Sequence, residues 1–149
     1  MRAPVLALAL MALCAAGPAA ADDAATLETC MDGADDAETC VGTISGPCQT
    51  ASPDTTLAIT ECLRRETAAW DVLLNRYWKP LRDEAKAGGS WDSLLAAQRA
   101  WIAFRDAECA HAYEEFAGGS IRTIMGADCQ MRMTADRAIE FRDRLGEAR

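Results

Sequence analysis

Five residues in this chain have the types and spacing to do more than pack: Asp71, Asn75, Gln98, Arg105 and Arg137. Gln98 and Arg105 share a helical stripe with Leu94, Trp101 and Cys109, at spacings of four, three, four and four. A polar group on such a stripe must find partners or cost about 1–3 kcal/mol. The planar fork of arginine satisfies several acceptors at once. Two chemistries follow. One is a register-setting network, with Gln98 on Asn75, Arg105 on a carboxylate such as Asp71, and Arg137 closing it. The other is a ligand pocket with a cationic wall. Groups that satisfy one another leave little for a ligand, so the pattern favours the network.

Other chemistries have thinner support. His111 has Glu108, Glu114 and Glu115 at helical spacing, but one histidine among glutamates reads as a solvated charged face, not a metal site. No C-x-x-C pair is present, so zinc is not expected, and nothing calls for a cofactor. There is no G-x-S-x-G, no H-E-x-x-H and no phosphate-cradling loop. With 23 acidic residues, paired carboxylates arise by number alone and decide nothing. The chain does not read as an enzyme.

The first 21 residues read as a secretory signal peptide: a basic Arg2, an apolar run from Val5 to Ala16, and Ala19-Ala20-Ala21 before Asp22. That run is too short to span a bilayer. Lipid attachment at Cys14 is disfavoured, because Leu13 precedes it where a small residue is expected. Residues 22–149 then form a single domain, and loss of Arg2 changes the net charge from −8 to −9. This acidity argues against nucleic acid or an anionic membrane surface as partner, and is compatible with a basic protein or with simple solubility. Six cysteines remain, Cys30, Cys40, Cys48, Cys62, Cys109 and Cys129. An even number behind a leader indicates disulfides in the periplasm or outside the cell, with fifteen pairings open.

The elements that must position these residues are helical. Two short helices are expected at about 23–32 and 35–45, too poor in apolar side chains to stand alone. Ser52-Pro53-Asp54 reads as a helix start, with Ser52 as N-cap. The stripe Ile59, Leu63, Glu66, Trp70, Leu73, Tyr77 and Leu81 follows, flanked by Cys62 and Leu74. Pro80 is expected to kink this helix, and Gly88-Gly89 to end it. Ser90 then caps a helix over about 91–116. After Gly118-Gly119-Ser120, with Ser120 a candidate N-cap, a last helix covers about 121–145, where Gly126 is a point of interruption. The fold class is all-α: a small antiparallel bundle of three long helices plus a short disulfide-tied N-terminal pair.

At AQRAWIAFRDAEC the chain resembles the lysozyme inhibitor LprI-like N-terminal domain family of small secreted helical modules. The family's Asp, Leu-Asn and aromatic positions are matched by Asp71, Leu74, Asn75 and Trp78, its upstream cysteines by Cys48 and Cys62. Its Gly-Ser joint and Cys–Thr–Arg series are matched by Gly119-Ser120, Cys129, Thr134 and Arg137, so the resemblance covers about 48–141. Two departures stand out: Trp78 replaces the family's usual tyrosine, and Cys30 and Cys40 lie outside the pattern. The resemblance implies disulfides Cys109–Cys129 and Cys48–Cys62, leaving Cys30–Cys40 for the N-terminal pair. It also implies a secreted or periplasmic binding protein that inhibits lysozyme, a basic partner, by occluding its cleft. The expected contact is the Gly118, Gly119, Ser120 and Arg122 joint with Glu114 and Glu115, although a plain interhelix joint explains the same residues. The alternative is an envelope structural or interaction module without lysozyme activity.

Overall fold

The computed structural model describes residues 17–147. Residues 1–16 of the expected leader lie outside that range. Among the described residues there are five α-helices: α1 (Pro18–Gly33), α2 (Ser45–Ala51), α3 (Thr56–Gly88), α4 (Trp91–Glu114) and α5 (Arg122–Glu147), with a 3-10 turn at Ala37–Cys40. The protein is all-α, with no strand among the described residues.

α3 is the spine, 33 residues long and so about 50 Å from end to end. Its predicted stripe is the buried one: Leu63, Trp70, Leu73, Tyr77 and Leu81 face the core, with Cys62 and Leu74 beside them. Pro80 lies inside the helix, which continues through it to Gly88. Gly89 then takes φ +77°, the left-handed geometry that ends the helix and that glycine adopts without a Cβ penalty. The start differs from expectation. Ser52 ends α2, and the cap of α3 is Thr55, whose hydroxyl accepts from the Ala58 N–H at 3.2 Å. Ser90 stands at the N-cap position of α4 without a side-chain capping bond.

The long helices run up, down, up. Thr60 meets Thr123 at one end and Trp78 stacks on Phe141 at the other, so α3 and α5 are parallel, while α4 is antiparallel to both. The core lies between α1, α3 and α5, where Leu27, Met31, Trp70, Leu73 and Phe141 are buried. α4 stays outside it. Of its stripe only Gln98 and Cys109 are buried, and Leu94, Trp101 and Arg105 are half-covered.

The N-terminal segment also departs from the expected pair. Where a helix is expected over 35–45, residues 35–44 form a 3-10 turn and a loop and α2 begins only at Ser45, because Glu66 of α3 holds that backbone in another shape. Its fully buried carboxylate accepts from the N–H groups of Gly42 (2.7 Å), Ile44 (3.1 Å) and Ser45 (2.7 Å), and from Trp70 Nε1 (3.0 Å). α1 is more than a disulfide-tied appendage. It buries Ala24, Leu27 and Met31 and is pinned by Asp23–Arg65, Glu28–Arg76 and Asp32–Arg142 ion pairs. The three disulfides join Cys30–Cys40, Cys48–Cys62 and Cys109–Cys129, with Cα separations of 5.9, 5.6 and 5.4 Å, the pairing the family resemblance implies.

Gly126 does not interrupt α5. A Cβ there would lie 3.2 Å from Tyr113 Cβ, so the glycine permits a close approach of α4 and α5 beside their disulfide. No helix among the described residues is long and apolar enough to cross a membrane.

Candidate functional site

Two places gather the residues singled out above. The first is a cleft. α3 and α4 both pack on α5 but touch each other little, and the space between them holds a cavity of about 690 Å³. Arg64, Thr67 and Asp71 line it from α3, Arg105, Asp106 and Tyr113 from α4, and Gly126, Gln130 and Thr134 from the α5 floor. A smaller cavity of about 320 Å³, walled by Asn75, Trp78, Gln98, Trp101 and Ile102, continues from it and shares Asp71 and Arg105.

The expected network forms only in part. Gln98 Oε1 accepts from Arg137 Nε at 3.0 Å, and Arg137 also reaches Glu140 while lying against the Trp101 and Phe141 rings. The Gln98–Asn75 bond does not form. Asn75 Nδ2 turns back one helical turn to the Asp71 carbonyl (2.8 Å) and carboxylate (3.1 Å), as short amides on helices readily do. Nor does Arg105 pair with Asp71. Its Nε and Nη2 both reach Asp106 Oδ1, at 3.0 and 2.9 Å, with the guanidinium 5.1 Å over Trp101. In both cases other partners win: Asn75 is held by Asp71, Gln98 by Arg137 and Arg105 by Asp106. Asp71 and Arg105 therefore line one cavity as opposite charges, each bonded within its own helix and not to the other. Beneath them Thr134 is 1% exposed and its hydroxyl has no hydrogen-bond partner among the described residues, an omission that costs about 1–3 kcal/mol.

The second place is the α4–α5 joint. It is a tied run of turns: the Ala117 N–H donates to Glu114 O at 2.9 Å, the Gly119 N–H to Phe116 O at 3.1 Å, and Gly118 takes φ +97°. The Thr56 hydroxyl donates to Ser120 Oγ at 3.3 Å, fastening the joint to the start of α3. Arg122 is half-buried and turned back on its own joint. Its guanidinium lies 3.9 Å from the Tyr113 ring centre and bonds Glu114 at 3.3 Å, so it closes the joint from within. The outward groups are Glu114, Glu115, Gly118, Gly119 and Ser120, together with Phe116 (38% exposed) and Ile121 (47%). Reasoning from charge and glycine missed those two apolar side chains, although both flank the glycine pair in the sequence. His111 lies 3.6 Å from Glu115 on the same exposed surface.

Glu66 and Tyr77 complete the polar interior. The Tyr77 hydroxyl donates to Glu28 at 3.1 Å, and burial, with the Glu28 charge second, pushes its pKa up to about 12.

Comparison with known proteins fits this arrangement. A protein of Rhizobium meliloti (strain 1021), described only as uncharacterized, is 29% identical over 117 residues, which cover 67% of this chain and 84% of its own. No solved structure matches. A family model described as "Lysozyme inhibitor LprI" matches residues 48–141. That span carries α3, α4, most of α5, two of the three disulfides, both walls of the cleft and the tied joint. With well over half its length so matched, the chain belongs to the LprI lysozyme inhibitor family.

Proposed function

We propose that this protein is exported, is not an enzyme, and inhibits a basic lysozyme by seating its α4–α5 joint in the enzyme's cleft. Family membership supports the class of activity. The observation that carries the assignment to the joint is the exposure of Phe116 and Ile121 beside Glu114 and Glu115, on a turn tied down by Cys109–Cys129 and by Thr56. Apolar anchors supply the buried contact of a typical interface, and flanking charges orient it. Lysozymes hold their catalytic carboxylates in an open cleft, which a firm projecting turn blocks without chemistry. A joint already ordered in the free protein loses little further freedom on binding.

The test is to titrate the exported, oxidised protein into a basic animal lysozyme while following cell-wall lysis. Lysis slows at micromolar inhibitor, and Phe116→Asp with Ile121→Asp abolishes the effect at unchanged melting temperature. Full lysis at micromolar excess of the native protein retires the reading for that lysozyme type.

A further inference from the structure

We propose that the cleft between α3 and α4 binds a short oligosaccharide carrying acetamido groups, at a site distinct from the exposed face of the α4–α5 joint. The cavity and its extension lie within the usual size range of ligand sites, and the α3 wall from Arg64 to Trp78 runs roughly 20 Å. Its polar groups select the ligand. Asp71 has Oδ1 left over as an acceptor beside its bond to Asn75, and Arg105 has Nη1 left over as a donor beside its bonds to Asp106; both line one cavity and no bond joins them. Something that presents a donor and an acceptor together spans them, as an acetamido N–H and carbonyl do. The Thr134 hydroxyl in the floor is a further buried group with no partner among the described residues. Tyr113 in the larger cavity, and Trp78 and Trp101 in the smaller, line the cleft with aromatic carbon; Arg122 covers part of Tyr113, Phe141 part of Trp78, and Arg105 and Arg137 part of Trp101, so sugar C–H groups pack on the ring surface left over.

The same lining argues against other ligands. Two arginines, Arg64 and Arg105, are balanced by Asp71 and Asp106, so a strongly charged molecule gains nothing. A helical peptide needs large apolar pockets for its anchors, whereas the larger cavity offers mainly alanine, threonine and polar side chains.

The experiment is calorimetric and fluorescence titration of the exported, oxidised protein with tri-N-acetylchitotriose, and with cellotriose, which keeps the linkage but has hydroxyls in place of acetamido groups. Saturable binding of the acetylated sugar in the millimolar range or tighter is expected, with cellotriose at least tenfold weaker. Asp71→Asn, Arg105→Met and Thr134→Val each weaken binding severalfold at unchanged circular dichroism and melting temperature. Absence of binding up to about 10 mM, equal binding of the two sugars, or binding that survives all three substitutions overturns the proposal. So does an amphipathic helical peptide that perturbs the cleft tryptophans while the sugar does not. No lysozyme is present in these titrations, so their outcome is independent of the inhibition assay.

Discussion

At the scale of single residues, Glu66 is the fully buried carboxylate that ties α3 to the segment before it. Four N–H donors converge on its two oxygens, from a loop, a helix start and an indole, and it has no role that an uncharged amide could fill. Glu66→Gln turns one acceptor into a donor facing donors, so we expect a loss of about 3 kcal/mol or more, read by chemical denaturation. Gln98→Ala is milder. It strips Arg137 Nε of its partner but leaves the contact to Glu140, so the melting temperature falls by an amount worth about 1–2 kcal/mol while lysozyme affinity stays constant. Lost affinity at unchanged stability would place Gln98 in the partner interface instead. Tyr77 predicts a pH effect. Its phenol holds its proton more tightly in the folded state, with a pKa near 12 against an ordinary 10.0. Its contribution is therefore intact below pH 10 and is lost as the pH rises toward 12. Tyr77→Phe should flatten that alkaline decline, measured as melting temperature against pH; an unchanged decline assigns it to other groups.

At the scale of elements, the relation of α4 to α5 is the sensitive one. α4 buries only Gln98 and Cys109, so it is held by its disulfide, by the Arg137 contacts and by the close approach at Gly126. A side chain at 126 must push Tyr113, whose Cβ is fixed to a helix already tethered at Cys109. Gly126→Val is expected to destabilise by about 1–3 kcal/mol despite the poor helix propensity of glycine. It should also loosen the joint that Tyr113 and Arg122 close, seen as faster amide exchange over 114–122. A variant as stable as the parent would show that α4 rides freely over α5.

For the whole molecule, charge sets how a partner is met. The sequence carries a net −8, and the proposed contact holds exposed carboxylates at one end of the bundle. Attraction to a basic lysozyme should then act on association more than on dissociation. Raising ionic strength from about 0.01 to 0.15 M shortens the screening length from roughly 30 to 8 Å, and the association rate should fall at least tenfold. A rate indifferent to salt would mean that the apolar pair alone drives the encounter and that the acidity serves solubility.

The amino-acid sequence by itself determined the helical class, the long buried stripe of α3 and the breaks at the glycine pairs, because 3.6-residue periodicity and backbone sterics are local properties. It also carried the family pattern over 48–141. Only tertiary structure decided what the polar residues do. The pairings Gln98–Asn75 and Arg105–Asp71 give way to Gln98–Arg137, Asn75–Asp71 and Arg105–Asp106, because α4 packs mainly on α5 and only lightly on α3. Glu66 sat in an apolar stripe with nothing nearby in sequence to announce its four donors, three of which come from backbone more than twenty residues earlier. Arg122 looked like an outward charge and is folded onto Tyr113, for the same reason: local pattern tells which face a residue occupies, and packing alone tells what faces it.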